Sequence, residues 1–371
     1  MSASSNSAGV QSMYSAGSGS TVVPASALVA DLRSDTVTTP TDEMRKVIAS
    51  ALVGDDVFED DPTINALEDL LKETSGHPAS LFCATGTMTN QLAIRSLLLA
   101  PPHSVLVDSR SHIYNYESSA VAHHTQALLI PIAPKEGKRH LTADVIERHL
   151  ILDDDVHHAP TKLICLENTL GGEIFPYEDI VAIREMANKH GVKLHLDGAR
   201  LWNASAETGI SMEQYCSLFD TVSLCLSKGM GAPIGSVLVG SKEVIKKARH
   251  YRKLFGGGWR QGGLLAAAGI HAINHHFPNL KNDHETARYL AAQLTELGFP
   301  TTRKVETNMV WFDTTPLKLT GTELQVVLAA NGVRILGGAM GEQRWVVHHQ
   351  VTKQSVDHII NVLREFLSSR Q

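Results

Sequence analysis

Two charged residues stand where apolar runs break off. Residues 192–196 lead into Asp197, and residues 221–226 lead into Ser227 and Lys228. In an open α/β sheet, ligands bind at the carboxyl ends of the strands, so this pattern delivers a carboxylate and an amine to one edge. An ion pair capping two strands would use the same residues. The stretch after Lys228 argues for more, because Gly229, Gly231, Pro233 and Gly235 make a loop too poor in side chains to pack as a helix. Such a loop leaves room for a flat cofactor beside the lysine. A lysine holding pyridoxal phosphate (PLP) as a Schiff base, with a carboxylate keeping the pyridine nitrogen protonated, is the chemistry that best fits the pair.

Other residues could serve the same site. A strand-like stretch at residues 79–85 turns through Gly86 and Thr87 into a helical pattern, and amides exposed at a helix start form an anion site fit for a phosphate. The same motif also serves as an ordinary helix cap. His112 lies just beyond another strand-like run, where its ring could cover one face of the pyridine, with Tyr116 expected one turn further along the same helix. His157 and His158 are adjacent, so only one of them can enter a given pocket. Arg344 opens an alternating strand and offers a planar fork for a substrate carboxylate. His271 and His275 have a spacing that can bind zinc, but no HExxH glutamate stands between them, and no metal is expected. The glycines after Lys228 are not spaced as a G-x-G-x-x-G dinucleotide fingerprint.

The elements that must position these residues alternate. Buried strand-like runs followed by helical patterns predict parallel βαβ units and a mostly parallel sheet covered on both faces, an α/β fold. Near the start, a helix after Pro40 is expected, capped by Thr41 or Asp42 and ended by Gly54. A second carries Pro62 in its first turn, Ile64, Leu67, Leu70 and Leu71 on one face, and Gly76 as its stop. Residues 141–151 also read as a helix. From about Pro278 the pattern becomes a smaller α+β unit. The expected division is a disordered tail at 1–30, a large domain at 31–277 and a small one at 278–371.

Composition bounds the partners. The 371 residues, 43% hydrophobic, can bury a large core, and a net charge of −6 argues against nucleic acid or an anionic membrane. Cys83, Cys165, Cys216 and Cys225 lie far apart and read as reduced core thiols. No apolar run approaches the roughly 18 to 20 residues that span a bilayer, and the first 30 residues carry no Lys or Arg. A soluble cytoplasmic protein is expected.

Taken together, DLRSDTVTTP, VGDDVFEDDPTINALE, ATGTMTNQLA, LENTLGGEI, HLDGARLWNA, CLSKGMGAPIGSVLVG and GGGWRQGGLLAAAG resemble the low-specificity L-threonine aldolases, a family of fold type I PLP enzymes. The resemblance runs in register from Asp31 to near the C-terminus. It implies Lys228 as the Schiff-base lysine, Asp197 as the pyridinium partner, Gly86 and Thr87 in the phosphate cradle, and His112 stacked on the ring. It further implies Ser34, Arg200 and Arg344 on the substrate carboxylate and His157 facing the β-hydroxyl. Arg260 and Lys253 would approach the site of a neighbouring subunit, in a homotetramer with shared active sites. The implied reaction cleaves L-threonine or L-allo-threonine to glycine and acetaldehyde. Fungal alanine racemases resemble the same family, so racemisation of alanine is the alternative. Leu170 stands where many members carry His, and Trp259 where many carry Met.

Overall fold

The structure, a computed structural model, describes residues 27–370. The expected tail, 1–30, lies outside the described residues except for its last four. In chain order the strands are β1 (Ala30–Asp31), β2 (Ala79–Cys83), β3 (Ser104–Asp108), β4 (Leu128–Ile132), β5 (Thr161–Glu167), β6 (Lys193–Gly198), β7 (Thr221–Cys225), β8 (Ser236–Gly240), β9 (Met309–Asp313), β10 (Val333–Arg334) and β11 (Glu342–Val346). The chain forms two compact units. The larger holds Asp35–Glu285 with Val305–Asn308, and the smaller holds the described residues up to Ser34, Thr286–Lys304 and the described chain from Met309.

Within the larger unit, seven strands form one sheet in the order β2-β8-β7-β6-β5-β3-β4. Only β8 runs against the rest, being antiparallel to both β2 and β7. Every residue of β3, β7 and β8 is buried, as a sheet covered on both faces requires. The apolar runs read from the sequence are therefore central strands, and their carboxyl ends carry Asp197 and lead into Lys228. Register places Asp197 of β6 opposite Glu167 of β5 on one side and Ser223 of β7 on the other.

Local chemistry sets the helices. Asp61 caps Pro62–Ser75 by accepting from the amides of Thr63 and Ile64, Pro62 occupies the first turn, and Gly76 ends the helix with φ 70°. Ile64, Leu67 and Leu71 are buried along it, and Leu70 packs half-buried against the same core. Thr41 caps Asp42–Ala49, but that helix stops at Ser50, not at Gly54. Gly54 has another task, since a Cβ there would lie 2.3 Å from the Asp60 carbonyl oxygen. The expected helix over 141–151 shrinks to Ala143–Glu147. Beyond it Ile151 is drawn to the start of β5, accepting from the Thr161 amide at 2.8 Å and donating to Thr161 Oγ1 at 3.0 Å. All four cysteines are buried and unpaired, and burial pushes the Cys216 thiol up to about 12. They are core residues, as expected.

In the smaller unit β9 and β11 pair antiparallel and β1 pairs in parallel with β10. Phe299, Phe312 and Trp345 meet edge to face at its centre. No helix among the described residues is long and apolar enough to cross a membrane.

Candidate active site

The carboxyl edge of the large sheet gathers four carboxylates, a histidine, an arginine and a lysine. Asp197 ends β6, and its Oδ1 accepts from the Ala199 amide at 3.0 Å while its Oδ2 accepts from Asn90 Nδ2 at 2.8 Å. Asn90 belongs to the helix Gly86–Leu97, which starts on Gly86 itself and is capped by Thr85. The Met88 and Thr89 amides are satisfied by Thr85, so the helix-start amides of Gly86 and Thr87 are the donors left to an anion. A Cβ at Gly86 would find only Cys225 Sγ, 4.0 Å away, so nothing crowds that approach.

His112 opens the short helix His112–Asn115. Its amide donates to Glu167 Oε2 at 2.7 Å, and its Nδ1 bonds Glu117 Oε1 at 2.9 Å. Burial works against charge on this imidazole, but the Glu117 hydrogen bond and the charges of Asp197, Glu117 and Glu167 outweigh it and raise its proton affinity. Tyr116 is not on the same helix as expected, because the helix ends at Asn115; its ring still lies 5.6 Å from that of His112. Burial and the neighbouring Asp197 push the Glu167 carboxyl up to about 8, against the pull of His112 and Lys228.

Lys228 begins the loop beyond β7, half-buried, and its charge acts on Asp35. Arg200 follows β6 and grips Asp35 with two bonds, Nε to Oδ2 at 2.8 Å and Nη2 to Oδ1 at 2.6 Å. Burial alone would raise the Asp35 carboxyl, but the Arg200 charge and hydrogen bonds, with Lys228 and Asn308, hold it well below the usual carboxylate range. Burial likewise opposes the Arg200 charge, and Asp35 reverses that effect.

The structure therefore brings Lys228, Asp197, His112, Tyr116, Gly86, Thr87 and Arg200 to one edge. His157 is placed differently: its side chain is 83% exposed on the loop before β5 and bonds Asp155 at 2.7 Å. Arg260 is exposed and paired with Asp55 at 2.9 Å, and Lys253 is exposed on the helix Lys242–Leu254. Ser34 and Arg344 belong to the smaller unit, where Arg344 Nη2 donates to the Arg33 carbonyl at 3.3 Å. Asp35, Glu117, Asn90 and His195 do not stand out in the sequence. Asp35 lies beside Ser34 in DLRSDTV and Glu117 five residues after His112, which is the only local signal either carries.

A polar cofactor fits this edge. Among the described residues, the buried atoms Ser111 Oγ, Asn168 Nδ2, Thr169 Oγ1 and Ser223 Oγ have no protein partner; the first three follow the carboxyl ends of β3 and β5, and Ser223 stands opposite Asp197. The ligand atoms of His112, Glu117 and Asp197 also lie within 4.8 Å of one another, as metal ligands would. Hydrogen bonds already account for that closeness, since Glu117 binds His112 and Asn90 donates to both carboxylates.

Two consequences can be measured. Gly198 follows Asp197, and a Cβ there would lie 2.7 Å from the Ser223 carbonyl oxygen. Gly198→Ala is expected to cost about 1–3 kcal/mol, read from the urea midpoint. Burial lowers the His195 imidazole from 6.5 to about 4. The unfolded chain therefore binds this proton first, and about 3 kcal/mol of stability is lost as pH falls from about 6.5 to about 4. Comparing unfolding free energies of the wild type and His195→Gln across that window should show a steeper acid loss in the wild type.

The fold and this cluster define a class. Residues 31–315 match the beta-eliminating lyase family, and the chain belongs to that family. Within it, the chain is 42% identical over 345 residues to the low-specificity L-threonine aldolase of Candida albicans, covering 92% of this chain and 91% of that one. It is also 36% identical over 347 residues to the alanine racemase TOXG of Cochliobolus carbonum, covering 91% and 88%. The fold matches that of a threonine aldolase from Leishmania major with a TM-score of 0.77 at 21% identity, over 91% of this chain and 99% of that chain.

Proposed function

We propose that this protein is a PLP-dependent lyase that cleaves L-threonine and L-allo-threonine to glycine and acetaldehyde. The observation that carries the reading is the convergence of Lys228, Asp197 and a stackable His112 at one sheet edge, in a chain 42% identical to an aldolase of that kind. When bound, PLP supplies the electron sink that lets a Cα–Cβ bond break.

The chain's own residues do the rest. Lys228 would hold the cofactor covalently through its Nζ. Asp197, fixed on both oxygens, would accept the pyridine N–H. Gly86 and Thr87 would hold the phosphate through their amides, and His112 would cover one face of the ring. Arg200 would clamp the substrate carboxylate and so choose which bond at Cα is weakened; positioning of this kind is worth about 7 to 11 kcal/mol of barrier. The Glu117 bond leaves His112 Nε2 as the atom to take the β-hydroxyl proton, and the raised proton affinity of the ring favours that transfer. Arg260 and Lys253 would reach a neighbouring subunit's site in a homotetramer.

The test is one PLP-loaded preparation assayed on three substrates. Acetaldehyde from L-threonine and L-allo-threonine with negligible D-alanine from L-alanine is the expected result. Rapid D-alanine formation with poor cleavage would overturn it in favour of racemisation.

A further inference from the structure

Behind Asp197 lies a closed line of hydrogen bonds that neither cofactor binding nor the cleavage itself requires. Asn90 Nδ2 carries two protons, and both meet carboxylate oxygens: Asp197 Oδ2 at 2.8 Å and Glu117 Oε1 at 2.9 Å. Asn90 Oδ1 faces His195 Nε2 at 3.0 Å, and His195 Nδ1 faces Thr221 Oγ1 at 2.9 Å. Asn90, Glu117, Asp197, His195 and Thr221 are all buried, at 1%, 3%, 3%, 0% and 0% exposure.

We propose that Asn90 is a positioning residue that locks Asp197, together with the Glu117–His112 pair, into one hydrogen-bonded unit whose polarity His195 fixes from behind. The inference rests on the reading of Asp197 as the partner of the PLP pyridine nitrogen. An amide nitrogen only donates and an amide oxygen only accepts. Flipping Asn90 would press its oxygen against two carboxylates, so the amide has one orientation. That orientation requires a proton on His195 Nε2, which leaves Nδ1 to accept from the Thr221 hydroxyl. His195 and Asp197 are two apart on β6 and so share a face of the sheet, the face the helix Gly86–Leu97 contacts through Asn90.

The consequence falls on Asp197. With Oδ1 held by the Ala199 amide and Oδ2 by Asn90, the plane of its carboxylate is fixed before any cofactor arrives. Through Glu117 the same amide is tied to the imidazole expected to cover the cofactor ring. One buried side chain thus sets both the partner of the pyridine nitrogen and the group on its face.

The test compares the PLP-loaded wild type with Asn90→Ala, His195→Leu and His195→Gln. Glutamine places an amide N–H where histidine has Nε2–H, whereas leucine removes the donor. The readouts are the visible circular dichroism of the bound cofactor, the rate of PLP loss during dialysis, and kcat and KM for threonine. Asn90→Ala and His195→Leu are expected to lose PLP on the order of tenfold faster or more, with altered dichroism and a lower kcat at little-changed KM. His195→Gln should return all of these towards wild-type values. Wild-type dichroism and PLP loss in folded Asn90→Ala and His195→Leu would overturn the proposal. If Asn90→Ala does not fold, the His195 pair decides, and identical behaviour of the glutamine and leucine variants overturns it. A wild type that takes up no PLP at Lys228 refutes the cofactor reading and this inference with it, a result distinct from a PLP-loaded wild type matched by its variants.

Discussion

Lys228→Ala is expected to lower threonine cleavage by on the order of 10⁴-fold or more, the upper range for a positioned catalytic group. The lysine stands on the loop after β7, at the edge where Asp197, Glu167 and His112 converge, and its charge acts on both Asp35 and Glu167. Alanine removes the covalent hold on the cofactor and the amine that exchanges with substrate. The visible absorption of the lysine-bound cofactor should vanish with the activity, while the far-ultraviolet dichroism of the fold remains. The side chain is half-buried on a loop, so the loss should be chemical rather than structural. A folded Lys228→Ala protein that turns over at the wild-type rate would end the assignment.

The second large effect falls on stability. Asp35 is wholly buried and its Arg200 partner is only 13% exposed, with two hydrogen bonds between them. Asp35→Ala leaves that guanidinium uncompensated and is expected to cost about 3–5 kcal/mol in urea unfolding, the range for removing one member of a buried pair. Asp35→Asn keeps an acceptor towards Arg200 and should cost less. Because the Asp35 carboxyl is held below its ordinary 3.8, the wild type's advantage over Asp35→Asn is fully present above that pH. It fades only as pH falls through the lowered value. A loss of less than about 1 kcal/mol in Asp35→Ala, the scale of an exposed pair, would contradict the buried-pair account. The same variant should also raise KM for threonine, since Arg200 would no longer be aimed.

The sheet could be read from the sequence because its strands are buried on both faces. Continuous apolar runs ending on Asp197, Glu167 and Ser227 mark the strand ends whatever the tertiary packing. The caps at Thr41 and Gly76 were legible for a similar reason, being local chemistry between residues a few positions apart. The network behind the site was hidden. His195 sits between two leucines and looks like one more buried strand position, while its partner Asn90 is 105 residues away. Asp35 and Arg200 are 165 residues apart and meet only through the fold. Local spacing likewise overstated the helix carrying His112, which ends at Asn115, and could not foresee that Asp155 would hold His157 at the surface.

The most direct test asks where the cofactor is attached. The protein is loaded with PLP, reduced with borohydride and digested, and the peptides are mapped by mass spectrometry. A phosphopyridoxyl group on the peptide containing Lys228, and its loss in Lys228→Ala, is the predicted result. A wild type that is unlabelled, or labelled on another lysine, would contradict the claim that the carboxyl edge of this sheet holds PLP.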